Sequence, residues 1–263
     1  MLGKLLKYDL KWVYKVVVIF YILAIIVSLI GRGLGEIQNS LLFNILSKII
    51  IGTGISLTVS SLINCLMRLW ARFTKNLYKD ESYLTHTLPA KKRDIYLSKV
   101  IAAIISIFTT VIVILACLFI CYYSKANMEV LKAFLELAAS TYNTTVIKFL
   151  LLISFVAFLE ILFVLLIGYA GIVLGHKSNK NKMLISIIIS IFMYFILQTV
   201  NLGVAALYGL VDKNVMNIIK TTDIVNVDAI KTVMYLGIGV YVFHIIFLYI
   251  LGRKQFAKGV NVD

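Results

Sequence analysis

The polar residues that interrupt long apolar runs are the first candidates for chemistry in this sequence. Glu160 lies near the middle of the run SFVAFLEILFVLL, where an ionised carboxylate is costly unless it is paired or faces a water-filled cavity. His244 falls at a broadly similar depth in a later run, and Gln198 and Asn201 offer neutral hydrogen-bonding partners. These four residues predict either the lining of a translocation path or structural hydrogen bonds between helices, and both interpretations stay open.

Motifs that mark catalytic or energy-coupling sites are missing from the sequence. Neither the pattern HExxH nor the nucleophile elbow GxSxG occurs. The run GIVLGHKS resembles a phosphate-binding loop, but three residues instead of four separate its glycines, and His176 stands where the lysine is required. Gly168, Gly171 and Gly175 are better interpreted as a small-residue face that lets helices approach closely. The sequence therefore predicts no enzyme active site, metal or cofactor in this chain.

The composition sets the class of protein. The chain has 263 residues, of which 61% are hydrophobic and 14% are charged, whereas a soluble domain is roughly half apolar and a quarter charged. One globular core cannot hide this excess, so the bilayer must be the solvent. The three cysteines fall inside apolar runs and are interpreted as packing residues, because they form no disulfide or metal-binding pattern.

Six apolar runs are each near or above the ~20 residues that a helix needs to cross the hydrocarbon. They lack the strict alternation of barrel strands, so the expected fold is an all-α, polytopic membrane domain over residues 1–263. A cleaved signal peptide is the alternative for residues 1–35, but no small-residue cleavage site follows. The predicted spans are 16–31, 43–67, 97–123, 149–174, 183–210 and 232–252.

The basic residues predict the orientation of these spans. Segments 1–15, 68–99, 176–182 and 253–263 hold 18 of the 26 Lys and Arg residues, and the alternate segments hold the other eight. The positive-inside bias therefore places both termini in the cytoplasm, as expected in a bacterial cell membrane. The net charge of +14 is thus a topology signal, and nucleic-acid binding is not expected because the charges follow the span ends.

Two amphipathic helices are expected outside the spans. On a helical projection Lys4, Lys7, Lys11 and Lys15 share one side of residues 1–15, which is typical of an interfacial helix with lysines at anionic headgroups. Asp9 falls on the apolar side and disturbs the pattern. A helical extension of the first span is the alternative. Residues 128–139 show the same amphipathic pattern on the outer side.

The loop between the second and third spans is the densest polar stretch of the first half. Asp80 and Glu81 suit a helix N-terminus, and Pro89, the only proline in the chain, forces the preceding residue out of helical geometry. Residues 80–88 therefore predict a short cytoplasmic helix. Its apolar side wants a partner, and it is formed by Tyr83, Leu84, Thr87 and Leu88.

The segment DESYLTHTLPAKKRDIYLSK resembles the corresponding loop in the membrane subunits of type-2 (ABC-2-like) ABC exporters. That loop has an acidic start, a Thr/Leu-rich stretch, Leu-x-Pro, a basic cluster and Leu-x-x-Lys. The span count, the N-terminal helix and the cytoplasmic termini are also similar. The usual Gly-Thr after the acidic pair is replaced here by Tyr83 and Leu84, which resembles a subgroup of small bacterial permeases for peptides or lipids.

The resemblance implies a permease that pairs with a second copy or a related permease and with two copies of a separate ATP-binding subunit. ATP and Mg²⁺ would be bound by that partner, which would push on residues 80–89 as a coupling helix. The alternative is a non-transporting immunity or sensor protein of the membrane whose external segments bind antimicrobial peptides.

Overall fold

The structure, a computed structural model, describes residues 1–37, 41–212, 215 and 227–259. Over these ranges the chain forms helices and no strand. Six of the described helices are long and apolar enough to cross a membrane, which confirms the prediction of an all-α, multi-pass membrane protein. In chain order the helices are α1 (Leu2–Gly35), α2 (Leu41–Tyr78), α3 (Ser82–Thr87), α4 (Lys92–Tyr122), α5 (Lys125–Thr141), α6 (Val146–Gly175), α7 (Lys182–Val211) and α8 (Val227–Ala257).

The N-terminal segment differs from the prediction. No separate interfacial helix forms over residues 1–15, because α1 runs without a break from Leu2 to Gly35. The alternative, a helical extension of the first span, describes this segment. Lys4, Lys7, Lys11 and Lys15 do lie exposed. Their opposite side packs against protein, so the amphipathic pattern reflects burial inside a helical bundle.

The chain divides into two compact units, the first comprising Met1–Glu129 and the second beginning at Val130. In the first unit α1, α2 and α4 pack against one another, and α3 contacts α2. Tyr14 bonds Thr109 and Tyr21 bonds Thr110, both at 2.6 Å between hydroxyl oxygens. Because the residue numbers rise together along both helices, α1 and α4 run parallel.

The two ends of α1 are also tied to α4. Near the start, Asp9 contacts Ser98 and Lys99. Near the end, Arg32 donates a hydrogen bond to the backbone carbonyl of Tyr123, the residue after α4. These polar contacts lie some 23 residues apart along α1, or ~35 Å at 1.5 Å per residue.

Small residues allow α1 and α2 to approach closely as an antiparallel pair. The Ser47 hydroxyl donates to the Gly31 carbonyl at 2.7 Å. A Cβ atom on Gly31 would lie 2.9 Å from a side-chain carbon of Ile51, and one on Gly54 would lie 3.1 Å from the Ser28 hydroxyl. A larger residue at either glycine would push the helices apart.

The second unit is built on α6, which packs against both α7 and α8. Its buried residues include Phe163, Leu165, Leu166 and Tyr169. Cβ atoms on Gly171 and Gly175 would lie only 1.9 and 2.2 Å from the hydroxyls of Ser190 and Ser186 on α7. The predicted close approach of helices is therefore confirmed at these two glycines, where no larger residue fits.

Candidate functional site

The short helix α3 begins and ends where turn chemistry requires. Its C-cap residue, Leu88, has φ −64° and ψ 141°, the extended conformation that a following proline imposes. The hydroxyl of Thr85 donates to the Glu81 carbonyl at 2.9 Å, and His86 Nε2 lies 3.1 Å from the Leu77 carbonyl. Pro89 thus ends the helix as predicted, and polar contacts hold it against the end of α2.

The outer side of α3 is apolar and uncovered by the described chain. Tyr83, Leu84 and Leu88 are 77%, 67% and 43% exposed, and Thr87 is also exposed. The opposite side is formed by Ser82 and Thr85, which are buried. A six-residue helix therefore turns its small polar residues inward and its large apolar residues outward, the reverse of what a free-standing soluble surface favours. We name Tyr83, Leu84, Thr87 and Leu88 the α3 stripe.

The acidic pair before α3 does not act as predicted. Neither Asp80 nor Glu81 caps the helix with its side chain. Glu81 instead pairs with Arg72 at 2.5 Å between Oε2 and Nη1, and the same oxygen accepts a bond from Asn76 at 3.1 Å. A charge-assisted pair is stronger than a capping bond to a neutral amide. Asp80 is exposed and lies 3.8 Å from Lys75.

Asp9 connects this pair to a buried ion cluster. Its Oδ1 lies 3.0 Å from Arg72 Nε and 2.5 Å from Lys99 Nζ, and its Oδ2 accepts a bond from the Ser98 hydroxyl at 3.0 Å. Asp9 and Lys99 are 2% and 3% exposed, and Arg72 is 9% exposed. Two carboxylates and two cations balance each other. We call Asp9, Arg72, Glu81, Ser98 and Lys99 the ion cluster.

The ion cluster joins every helix of the first unit that lies near α3. Asp9 belongs to α1, Arg72 to α2, and Ser98 and Lys99 to α4, while Glu81 precedes α3 directly. Arg72 is the central residue, because its guanidinium binds both carboxylates with the fixed fork geometry of Arg. Any displacement of α3 by a partner would therefore act on α1 and α4 through Arg72.

Trp12 shields the ion cluster on the α1 side. The Arg68 guanidinium lies 3.9 Å from the centre of the Trp12 ring and that of Arg72 lies 5.5 Å away. Such cation–π contacts stabilise a cation that has left water. Sequence reasoning missed the cluster, although one signal was present, since Asp9 is an acidic residue on the apolar side of its helix.

A second polar site lies halfway along the helices of the second unit. The Tyr241 hydroxyl is hydrogen-bonded to Glu160, Gln198 donates to that hydroxyl at 3.3 Å, and Asn201 donates to the Gln198 side-chain oxygen at 2.9 Å. Three of the four predicted path residues thus meet, and Tyr241, which sequence reasoning missed, connects them. We call Glu160, Tyr241, Gln198 and Asn201 the polar chain.

His244 lies beside the polar chain without joining it. It is 1% exposed, and its ring stacks on Phe163 with centroids 5.7 Å apart. The other face-to-edge neighbour of Phe163 is Tyr241, at 5.2 Å. His244 Nδ1 has no hydrogen-bonding partner among the described residues. The structure therefore places His244 in an aromatic cluster next to the predicted path.

The comparisons with known proteins add no relative. No family model, curated protein or solved structure matches the chain. What the chain does is therefore argued from the α3 stripe, the ion cluster and the polar chain.

Proposed function

We propose that the chain is the permease subunit of an ATP-driven ABC exporter of the type-2 (ABC-2-like) class. The observation that carries this proposal is the α3 stripe, in which three large apolar side chains lie exposed on a helix that the ion cluster anchors to the bundle. Burying a Leu-sized side chain contributes ~1.5–3 kcal/mol. A groove on a separate ATP-binding subunit would cover the stripe, and residues 80–89 would act as the coupling helix.

The proposal divides the work between chains. Two copies of the partner would bind and hydrolyse ATP with Mg²⁺, and this chain would pair with a second copy or a related permease to form the path. The substrate would be a peptide, a lipid or another amphipathic molecule. The chain would lie in a bacterial cell membrane with both termini in the cytoplasm, as the distribution of Lys and Arg predicts.

The proposed orientation can be tested by cysteine labelling. Lys92, Lys180 and Lys132 are all exposed, and the native Cys65, Cys117 and Cys121 are buried, so the native thiols contribute little background. In intact cells an impermeant maleimide should label Lys132→Cys on α5 and should not label Lys92→Cys or Lys180→Cys until the cells are lysed. Labelling of Lys92→Cys from outside would contradict the six-span orientation.

A role of the polar chain in transport predicts a selective defect in the Glu160→Gln variant. The neutral isostere keeps the hydrogen bond to Tyr241 but removes the charge, so assembly should be normal while transport falls about tenfold, the effect of losing one charge-assisted bond. Substrate efflux and ATPase rates measure this. Glu136→Gln, on the exposed face of α5, is the matched control. Wild-type behaviour of Glu160→Gln in both assays would remove Glu160 from the path.

A second candidate function rests on α5. Val130, Phe134 and Leu137 are 71%, 64% and 68% exposed on this helix, which the charge distribution places outside. Such a face suits an amphipathic peptide, as in a non-transporting immunity or sensor protein. Copurification with an ATP-binding subunit favours the exporter, whereas peptide binding without any such partner favours the sensor.

A further inference from the structure

The polar chain ends on an acceptor that has spare capacity. Its hydrogen bonds run in one direction, from Asn201 to Gln198, from Gln198 to Tyr241 and from Tyr241 to Glu160. An ionised carboxylate offers about four acceptor positions, and the Tyr241 hydroxyl uses one. No Lys, Arg or His of the described chain lies within ion-pairing distance of Glu160. The site therefore has unfilled acceptor positions and no counter-charge.

The depth of the site makes that imbalance costly. Glu160 is the fifteenth of the 30 residues of α6, Tyr241 the fifteenth of the 31 of α8, and Gln198 the seventeenth of the 30 of α7. All three therefore lie near the bilayer midplane, where a carboxylate needs a partner. Each is partly exposed, so a molecule in the membrane can reach the site.

Aromatic rings surround the carboxylate. Phe163 lies one helical turn from Glu160, and its ring contacts Tyr194 at 6.2 Å, Tyr241 at 5.2 Å and His244 at 5.7 Å between centroids. The faces of such rings attract cations, and clusters of them recognise alkylammonium groups. The rings and the carboxylate favour the same kind of ligand.

We infer that Glu160, Tyr241 and the rings around Phe163 form a binding site for the ammonium group of an amphipathic amine. An ammonium ion supplies both missing features, because it carries a positive charge and, when primary, three N–H donors. Its alkyl body would remain in the apolar surroundings. The binding itself does not depend on an ATP-binding partner, and only its use as a substrate site rests on the proposed function.

The test follows the reactivity of Glu160 in protein reconstituted into phosphatidylglycerol nanodiscs. Dicyclohexylcarbodiimide, which reacts with carboxyl groups inside membranes, should modify Glu160, and mass spectrometry would measure the extent. Dodecylammonium should protect Glu160 at a concentration about tenfold lower than dodecyltrimethylammonium, which has the charge without the N–H donors. Dodecanol, which has the same chain without the charge, should not protect.

Variants separate binding from packing. Tyr241→Phe keeps the ring and removes the hydroxyl, so the protecting concentration of dodecylammonium should rise about fivefold, the effect of one hydrogen bond. Tyr235→Phe, at an exposed position of the same helix, should leave it unchanged. Equal protection by dodecanol and dodecylammonium, or no modification of Glu160 without a ligand, would overturn the inference and leave the polar chain as interhelical hydrogen bonding.

A further arm identifies the source of the amine. Nanodiscs that contain phosphatidylethanolamine carry a primary ammonium in the lipid headgroup. If that lipid is the ligand, Glu160 should be protected before any amine is added. If phosphatidylethanolamine has no effect while dodecylammonium protects, the ligand is a free amphipathic amine. Transport assays stay separate, so failure of binding and failure of the exporter proposal are distinguishable.

Discussion

The Asp9→Asn variant should lose about 3–5 kcal/mol of stability, the cost of removing one partner from a buried ion pair. Asparagine fits the same space, but Arg72 and Lys99 would then share one remaining carboxylate, Glu81, which Lys99 does not contact directly. Lys99 would be left as an uncompensated buried cation. The midpoint of thermal unfolding of purified protein, followed by circular dichroism in one fixed detergent, measures the loss.

The double variant Asp9→Asn/Lys99→Met is the decisive control for the ion cluster. It removes one acid and one base, so the pair between Arg72 and Glu81 stays balanced, and much of the lost stability should return. Glu36→Gln breaks an exposed pair with Arg32 and should cost less than about 1 kcal/mol. If Asp9→Asn unfolds like the wild type, the ion cluster does not hold the first unit together.

The Leu84→Asp variant should bind the ATP-binding subunit about ten- to a hundredfold more weakly, because burial of a leucine contributes ~1.5–3 kcal/mol and an aspartate would enter an apolar groove. Insertion and folding should be normal, since Leu84 is 67% exposed in the chain alone. Titration of the partner onto purified variant gives the affinity, and the ratio of transported substrate to hydrolysed ATP reports coupling.

Leu137→Asp is the matched control for that experiment. Leu137 is 68% exposed, so the two substitutions add the same charge at equally accessible leucines, and only the one in the α3 stripe should weaken the partner. Lys92→Gln, in the basic cluster after Pro89, should also have little effect. Full affinity and full coupling in Leu84→Asp would show that α3 is not the transmission element.

Hydropathy predicted the six long helices but not their ends. The second apolar run stops at residue 67, yet α2 continues to Tyr78, and the first run starts at residue 16, yet α1 starts at Leu2. In both extensions the polar residues contact neighbouring helices instead of lipid, as Asp9 and Arg72 show. A scale that scores each residue against lipid cannot register a charge that is satisfied by protein.

The ion cluster was beyond sequence reasoning because its members are distant along the chain. Asp9 is 63 residues from Arg72 and 90 from Lys99, and the charge pattern explained both cations as topology signals. The short helix was predictable because its signals are local, in the acidic pair and in Pro89. Even there the role of Glu81 depended on Arg72, whose position is set by helix packing.

The polar chain was predicted in part for the same reason. Glu160 stood out because a carboxylate in an apolar run is rare, and Gln198 and Asn201 lie one helical turn apart. Tyr241 carried no such signal, since tyrosines are common in this chain, with 15 among its residues. Its function as a connector depends on how α6, α7 and α8 meet.

The attachment of α1 to α4 at both ends limits how the first unit can deform. A shear of one helical turn, 5.4 Å along the axis, would break the contacts of Asp9 with Ser98 and Lys99 and, at the far end, the bond from Arg32 to the Tyr123 carbonyl. Sliding of packed helices is one of the two common modes of conformational change, and rigid-body rotation is the other. A force applied at α3 should therefore turn α1 and α4 together as one stiff lever.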